Sequence, residues 1–160
     1  MKIRVLITGG TIDGVDKKSY PAEEKYTLVP DLLKKIGGDY VVDVLMIKDS
    51  SFITDEDRQL IASRCRDCEE NNILITHGTN TMAATARFLN KQNLDKTIVL
   101  TGAFIPADQE QGDAQDNIEK ALEAARSLPR GVYIAMNNQI FGADNVRKNF
   151  EKKIFEKETP

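Results

Sequence analysis

Five clusters of small polar residues could carry chemistry in this 160-residue sequence. They are Thr8-Gly9-Gly10-Thr11, Asp49-Ser50-Ser51, Thr76-His77-Gly78-Thr79-Asn80-Thr81, Thr101-Gly102-Ala103 and Asn137-Asn138. Each follows a short apolar run. Glycines let a ligand approach the backbone closely, and the amides exposed there can hold an anion or a developing oxyanion. A hydroxyl becomes a nucleophile when a base removes its proton. The clusters are rich in Thr, which favours a small-molecule site over plain turns. Each threonine also has an ordinary structural use: Thr11 as a cap for the turn after it, Thr79 as the N-cap of a helix beginning near Thr81. The dinucleotide pattern G-x-G-x-x-G, the phosphate loop and the G-x-S-x-G elbow are all missing. His77 is the only histidine, so a multi-histidine metal site is excluded and a Ser-His-Asp triad would depend on this one residue. A strand-end histidine followed by glycine reads as an orienting or structural group.

To bring the clusters together, the chain must first build the runs that precede them. Residues 3–7, 40–47, 73–76, 97–101 and 132–136 are short and β-branched. Most are continuously apolar, as strands covered on both faces are. Helical patterns lie between them. Thr54-x-x-Asp57 resembles a capping box opening a helix over 54–70. Met82, Ala86, Phe88 and Leu89 form a second apolar stripe, and Ile118, Ala121, Leu122 and Ala125 a third. Alternating strands and helices predict a doubly wound α/β domain, a mainly parallel sheet with helices on both faces. Ligands bind such sheets beyond the carboxyl ends of the strands, where all five clusters fall. Residues 13–30 form one long irregular segment, and a charged tail follows 148. The tail, with Phe150, Ile154 and Phe155, reads as a docking arm, a short strand against a partner subunit, or a frayed end. The domain is therefore assigned to 1–148 and the tail to 149–160.

Composition limits the function classes. A net charge of −3, with cations and acids interleaved, argues against a nucleic-acid binder. No apolar run is long enough to span a membrane, and the N-terminal run is too short for a signal peptide, so the expected compartment is the cytoplasm. Cys65 and Cys68 lie late in a predicted helix among acids that would raise a thiol pKa, and they offer only two of the four ligands of a structural zinc. They read as inert, reduced cysteines.

Residues 7–12, Ile-Thr-Gly-Gly-Thr-Ile, and 75–82, Ile-Thr-His-Gly-Thr-Asn-Thr-Met, closely resemble the two signature segments of the L-asparaginases. Asp49-Ser50-Ser51, Leu100-Thr101-Gly102-Ala103, the stretch from Gly131-Val132 to Asn137, and Val146-Arg147-Lys148 match in the same order. The resemblance implies a flavodoxin-like, cofactor-free N-terminal asparaginase domain that hydrolyses the side-chain amide of asparagine to aspartate and ammonia. It gives Thr11 the nucleophile's role, forming an acyl-enzyme that water resolves. Tyr26 matches the loop tyrosine that helps activate it, with Tyr20 in reserve. Thr79 and Lys148 match the hydroxyl and lysine of a second catalytic group. Ser50 matches the group that binds the α-carboxylate, with Ser51 beside it. Gly10, Gly78, Asn80 and Ala103 fall in the substrate-binding segments.

Two features depart from the family. Asn80 stands where the family carries an Asp that would hold the substrate's α-ammonium, and a neutral amide makes a weaker contact there. The family usually has a second domain, whose residues complete the pocket of a neighbouring subunit. The missing wall is expected to come from another copy of the domain or to stay open, and the first case predicts a homodimer or higher homo-oligomer with the charged tail near the interface. Two functional readings follow: an amidohydrolase acting on asparagine or a close amide, or a non-catalytic or weakly active amino-acid-binding module using the same pocket. A flavin or nucleotide binder is disfavoured, because the chain lacks a phosphate loop and has no Trp.

Overall fold

A computed structural model of the chain describes residues 1–15 and 26–158. The apolar runs become β1 (Ile3–Gly9), β2 (Tyr40–Lys48), β3 (Asn72–Thr76), β4 (Thr97–Thr101) and β5 (Gly131–Met136), with β6 (Gln139–Gly142) added at one edge. They form a single sheet in the order β2-β1-β3-β4-β5-β6. All neighbours are parallel except β5 and β6. The helices are α1 (Val29–Ile36), α2 (Asp55–Asp67), α3 (Met82–Asn90) and α4 (Ala114–Ser127).

Alternation along the central strands feeds two cores, one on each face. Leu6, Ile73, Ile75, Ile98 and Leu100 pack with Ile61 of α2 and Met82 and Leu89 of α3. Val5, Ile7, Leu74 and Val99 pack with Leu33 of α1 and Ile118 and Leu122 of α4. Each such burial contributes about 1.5–3 kcal/mol. The doubly wound α/β fold, with helices on both faces, is the one the alternating pattern predicts.

Four local expectations are refined. The run at 40–47 is apolar in sequence, yet it is an edge strand whose Val42 and Val44 are exposed. The first helix starts inside the segment read as irregular, with Pro30 in its first turn. The helix expected over 54–70 ends at Asp67, and both capping-box bonds form: Asp57 N donates to Thr54 Oγ1 at 3.1 Å and Thr54 N to Asp57 Oδ2 at 2.9 Å. Asn137-Asn138 forms a tight two-residue turn. Both residues have positive φ, 55° and 57°, which lets β6 fold back on β5.

Within the described residues the C-terminal segment folds back on itself as a hairpin. β7 (Arg147–Asn149) pairs antiparallel with β8 (Ile154–Glu156). Phe155 is buried in the core beside Phe104, ring centroids 6.2 Å apart, and its backbone N donates to Asn137 Oδ1. The hairpin thus crosses residue 148 and packs on the same domain through Phe155.

Candidate active site

With β1 flanked by β2 on one side and β3 on the other, the connections leave β1 in opposite directions. That opens a crevice beyond the strand ends, where open α/β sheets bind ligands. Thr11 stands there, opening a 3-10 turn (Thr11–Asp13) directly after β1. The turn is capped by the Gly10 backbone, so Thr11 is not the cap, and its hydroxyl bonds no other described residue. Gly10 takes φ 92°, and a Cβ there would run into Gly78 Cα. A Cβ on Gly78 would in turn meet Ser50 Cβ at 2.7 Å. Three strand-end loops therefore touch backbone to backbone, and only glycine permits the approach.

A cavity of about 420 Å³ opens at this junction. Of the residues singled out in the sequence, Gly10, Thr11, Ser50, Gly78, Thr79, Asn80 and Lys148 line it. Ser50 is held from both sides: Thr81 N donates to its Oγ at 3.1 Å, and Thr81 Oγ1 donates to its carbonyl at 2.8 Å. Thr81, not Thr79, is the N-cap residue of α3, which leaves Thr79 available to the cavity. Lys148 reaches across from β7 and donates to Thr79 Oγ1 and Asn80 Oδ1, both at 2.7 Å. Asn80 Nδ2 donates to Ser51 Oγ at 3.1 Å.

Burial pushes the Lys148 amine below its ordinary pKa of 10.5; nearby Asp49 opposes the shift and Lys153 reinforces it. The ammonium also sits 5.3 Å from the centroid of Phe104 and 4.7 Å from that of Phe150. An ammonium over a ring face is attracted by the ring's quadrupole.

Three expected site residues lie elsewhere. Ser51 touches the cavity only through Asn80. Ala103 is buried in the core that faces α1 and α4. Tyr26 is 64% exposed and lies in a separate groove with Leu28, Leu32 and Ala107. Tyr20 falls outside the described residues. His77, fully buried, does not line the cavity. Its Nδ1 donates to Gly78 O at 2.7 Å, so its Nε2 accepts from Thr85 Oγ1 at 2.8 Å. Thr85 in turn accepts from Arg58 Nε at 2.9 Å. Burial holds the imidazole neutral, with its pKa lowered to about 4. The ring orients the glycine loop.

Asp49, Phe104, Phe150 and Lys153 also line the cavity. Asp49 Oδ1 accepts from Ser51 N at 2.8 Å, capping the 3-10 turn after β2, which is a readable Asp-Ser-Ser signal. The other three carry no local signal, because the C-terminal hairpin and the loop after β4 bring them in. Asp13, buried, accepts from Thr27 Oγ1 at 2.7 Å and Leu28 N at 2.9 Å, pinning the Thr11 turn to the start of α1. Burial raises its carboxyl pKa.

Fold and site together define an open α/β domain with a threonine- and lysine-lined pocket at its topological switch point. The chain belongs to the asparaginase family: the model of the asparaginase N-terminal domain matches residues 2–155. The probable periplasmic L-asparaginase of Haemophilus influenzae is 32% identical over 91% of this chain and 46% of its own length. The glutaminase-asparaginase of Acinetobacter glutaminasificans is 33% identical over 90% of this chain and 48% of its own. The thermostable L-asparaginase of Thermococcus kodakarensis superposes with a TM-score of 0.81 at 30% identity, covering 98% of this chain and 51% of that one. The probable cytoplasmic L-asparaginase of Campylobacter jejuni gives 0.83 at 28% identity, covering 99% and 53%. The chain spans about half the length of the relatives it matches. Among the described residues no helix is long and apolar enough to cross a membrane.

Proposed function

We propose that this domain is an amidohydrolase that cleaves the terminal amide of asparagine or a close analogue, with Thr11 as the nucleophile. The observation that carries the reading is the cavity at the β1–β3 crevice. Thr11 opens into it with its hydroxyl bonded to no other described residue, and Thr79 faces it under a lysine. Thr11 Oγ would form a bond to the amide carbon, and its proton would pass to the leaving nitrogen. Ammonia departs and an ester remains on Thr11. Water then adds to that ester, releasing the carboxylic acid and restoring the hydroxyl.

Because Lys148 donates to Thr79 Oγ1, the Thr79 O–H is free to donate onward. A hydroxyl whose oxygen already accepts from a cation is a stronger donor. In this reading Thr79 stabilises the developing oxyanion, and Lys148 supplies the polarising charge. Ser50 and the amides near Gly10 and Gly78 would hold the substrate's carboxylate.

Ammonia release from a panel of free amino-acid amides tests the proposal. Thr11→Ala should abolish release while the circular dichroism spectrum stays native. Full activity in Thr11→Ala, or ligand binding with no ammonia from any amide, would overturn it; the second outcome describes a binding module.

A further inference from the structure

The charged groups around the cavity bear on which amide fits, an inference that rests on the amidohydrolase reading above. Lys148 and Lys153 both line the cavity, and neither forms an ion pair with a described residue. Asp49 is the one carboxylate in the described wall, and its Oδ1 is already engaged by Ser51 N. Two cations against one carboxylate leave an excess of positive charge.

Asn80 sharpens the point, because its amide orientation is fixed from both ends. Oδ1 faces the Lys148 ammonium at 2.7 Å, and Nδ2 faces Ser51 Oγ at 3.1 Å. Reversing the amide would set its NH2 group against the ammonium, so this orientation is held. A substrate ammonium seeking Asn80 Oδ1 would have to share it with Lys148, cation beside cation. The second Nδ2 hydrogen, by contrast, is a donor that suits an anion or a neutral acceptor.

We propose that the pocket selects a monoanionic ω-amide, a dicarboxylic acid monoamide without a charged α-ammonium such as succinamate, over zwitterionic asparagine. The net positive described wall attracts a ligand of charge −1 more than a zwitterion, whose ammonium opposes the attraction of its carboxylate. The one negatively charged group of the described wall, Asp49, is held at Oδ1 by Ser51 N and has its field offset by Lys148.

The test compares kcat/KM for succinamate and L-asparagine with the unmodified 160-residue chain, following ammonia. Succinamate should be favoured about tenfold, the ratio expected when one charge-assisted contact is exchanged for a neutral one. Asn80→Asp should reverse the order by supplying an acceptor for the ammonium. Calorimetry with the two products, succinate and L-aspartate, gives a readout that needs no turnover. Tighter succinate binding supports the proposal; equal or tighter aspartate binding, or a preference for asparagine, overturns it. If neither amide releases ammonia, the amidohydrolase reading fails by itself, and the product-binding order still decides the charge selectivity.

Discussion

At the scale of single residues, the working protonation state of Lys148 is the most exposed part of the proposed mechanism. The amine donates to Thr79 and Asn80, a geometry that suits the ammonium form. Burial lowers its pKa below 10.5, so the ammonium is lost earlier on the alkaline side than for a free lysine. Accordingly kcat/KM should fall as pH rises through a midpoint below 10.5, and Lys148→Met should lose activity across the whole range. A profile that climbs steadily up to about pH 11 would mean that the neutral amine is the working form. Thr11, Thr79 and Lys148 were legible from residue type and motif order. Their partners were not: which oxygen Lys148 reaches depends on a contact between residues 69 apart.

At the scale of elements, the loop after β3 is shaped by a hydrogen-bonded chain running from Arg58 of α2 through Thr85 of α3 and His77 to Gly78 O. That chain needs a neutral imidazole, since a protonated Nε2 could no longer accept from Thr85. The folded pKa lies near 4, against about 6.5 in the unfolded chain. A depressed pKa contributes stability that is present above 6.5 and is lost as pH falls toward 4. Urea melts should therefore show up to about 3 kcal/mol of acid destabilisation from this group between those pH values. His77→Gln should flatten that part of the profile, and an unchanged slope would refute the assignment. The elements themselves were largely readable. Continuous apolar runs and 3.6-residue stripes depend on local sequence, and the Thr54–Asp57 cap is closed within four residues. The edge position of β2 was not readable, because Val42 and Val44 look like core residues until the strand order leaves one face uncovered.

At the scale of the whole molecule, the C-terminal hairpin joins stability to the site. Phe155 is buried against Phe104, while Lys148 and Phe150 project from the same hairpin into the cavity. Phe155→Ala should cost about 3–5 kcal/mol, the usual range for a buried aromatic. It should also reduce ammonia release at temperatures where the fold survives, because Lys148 loses its platform. Thermal melts paired with assays well below the transition would separate the two effects. Full activity in a destabilised but folded variant would show that the hairpin does not position Lys148.

What the sequence determined by itself was everything written in neighbouring residues: the doubly wound sheet, the glycine turns, the asparaginase signatures and the threonines they carry. Those features rest on side-chain periodicity and local backbone geometry, so a short window contains the whole cause. The tertiary structure alone decided which strand ends form the pocket. It placed Lys148, Phe104, Phe150 and Lys153 around Thr11 and Thr79, set Tyr26 and Ala103 outside the cavity, and turned Asn137-Asn138 into a hairpin turn that anchors Phe155. Those outcomes depend on strand order and on burying Phe155, which couple residues far apart in the chain and leave no local trace.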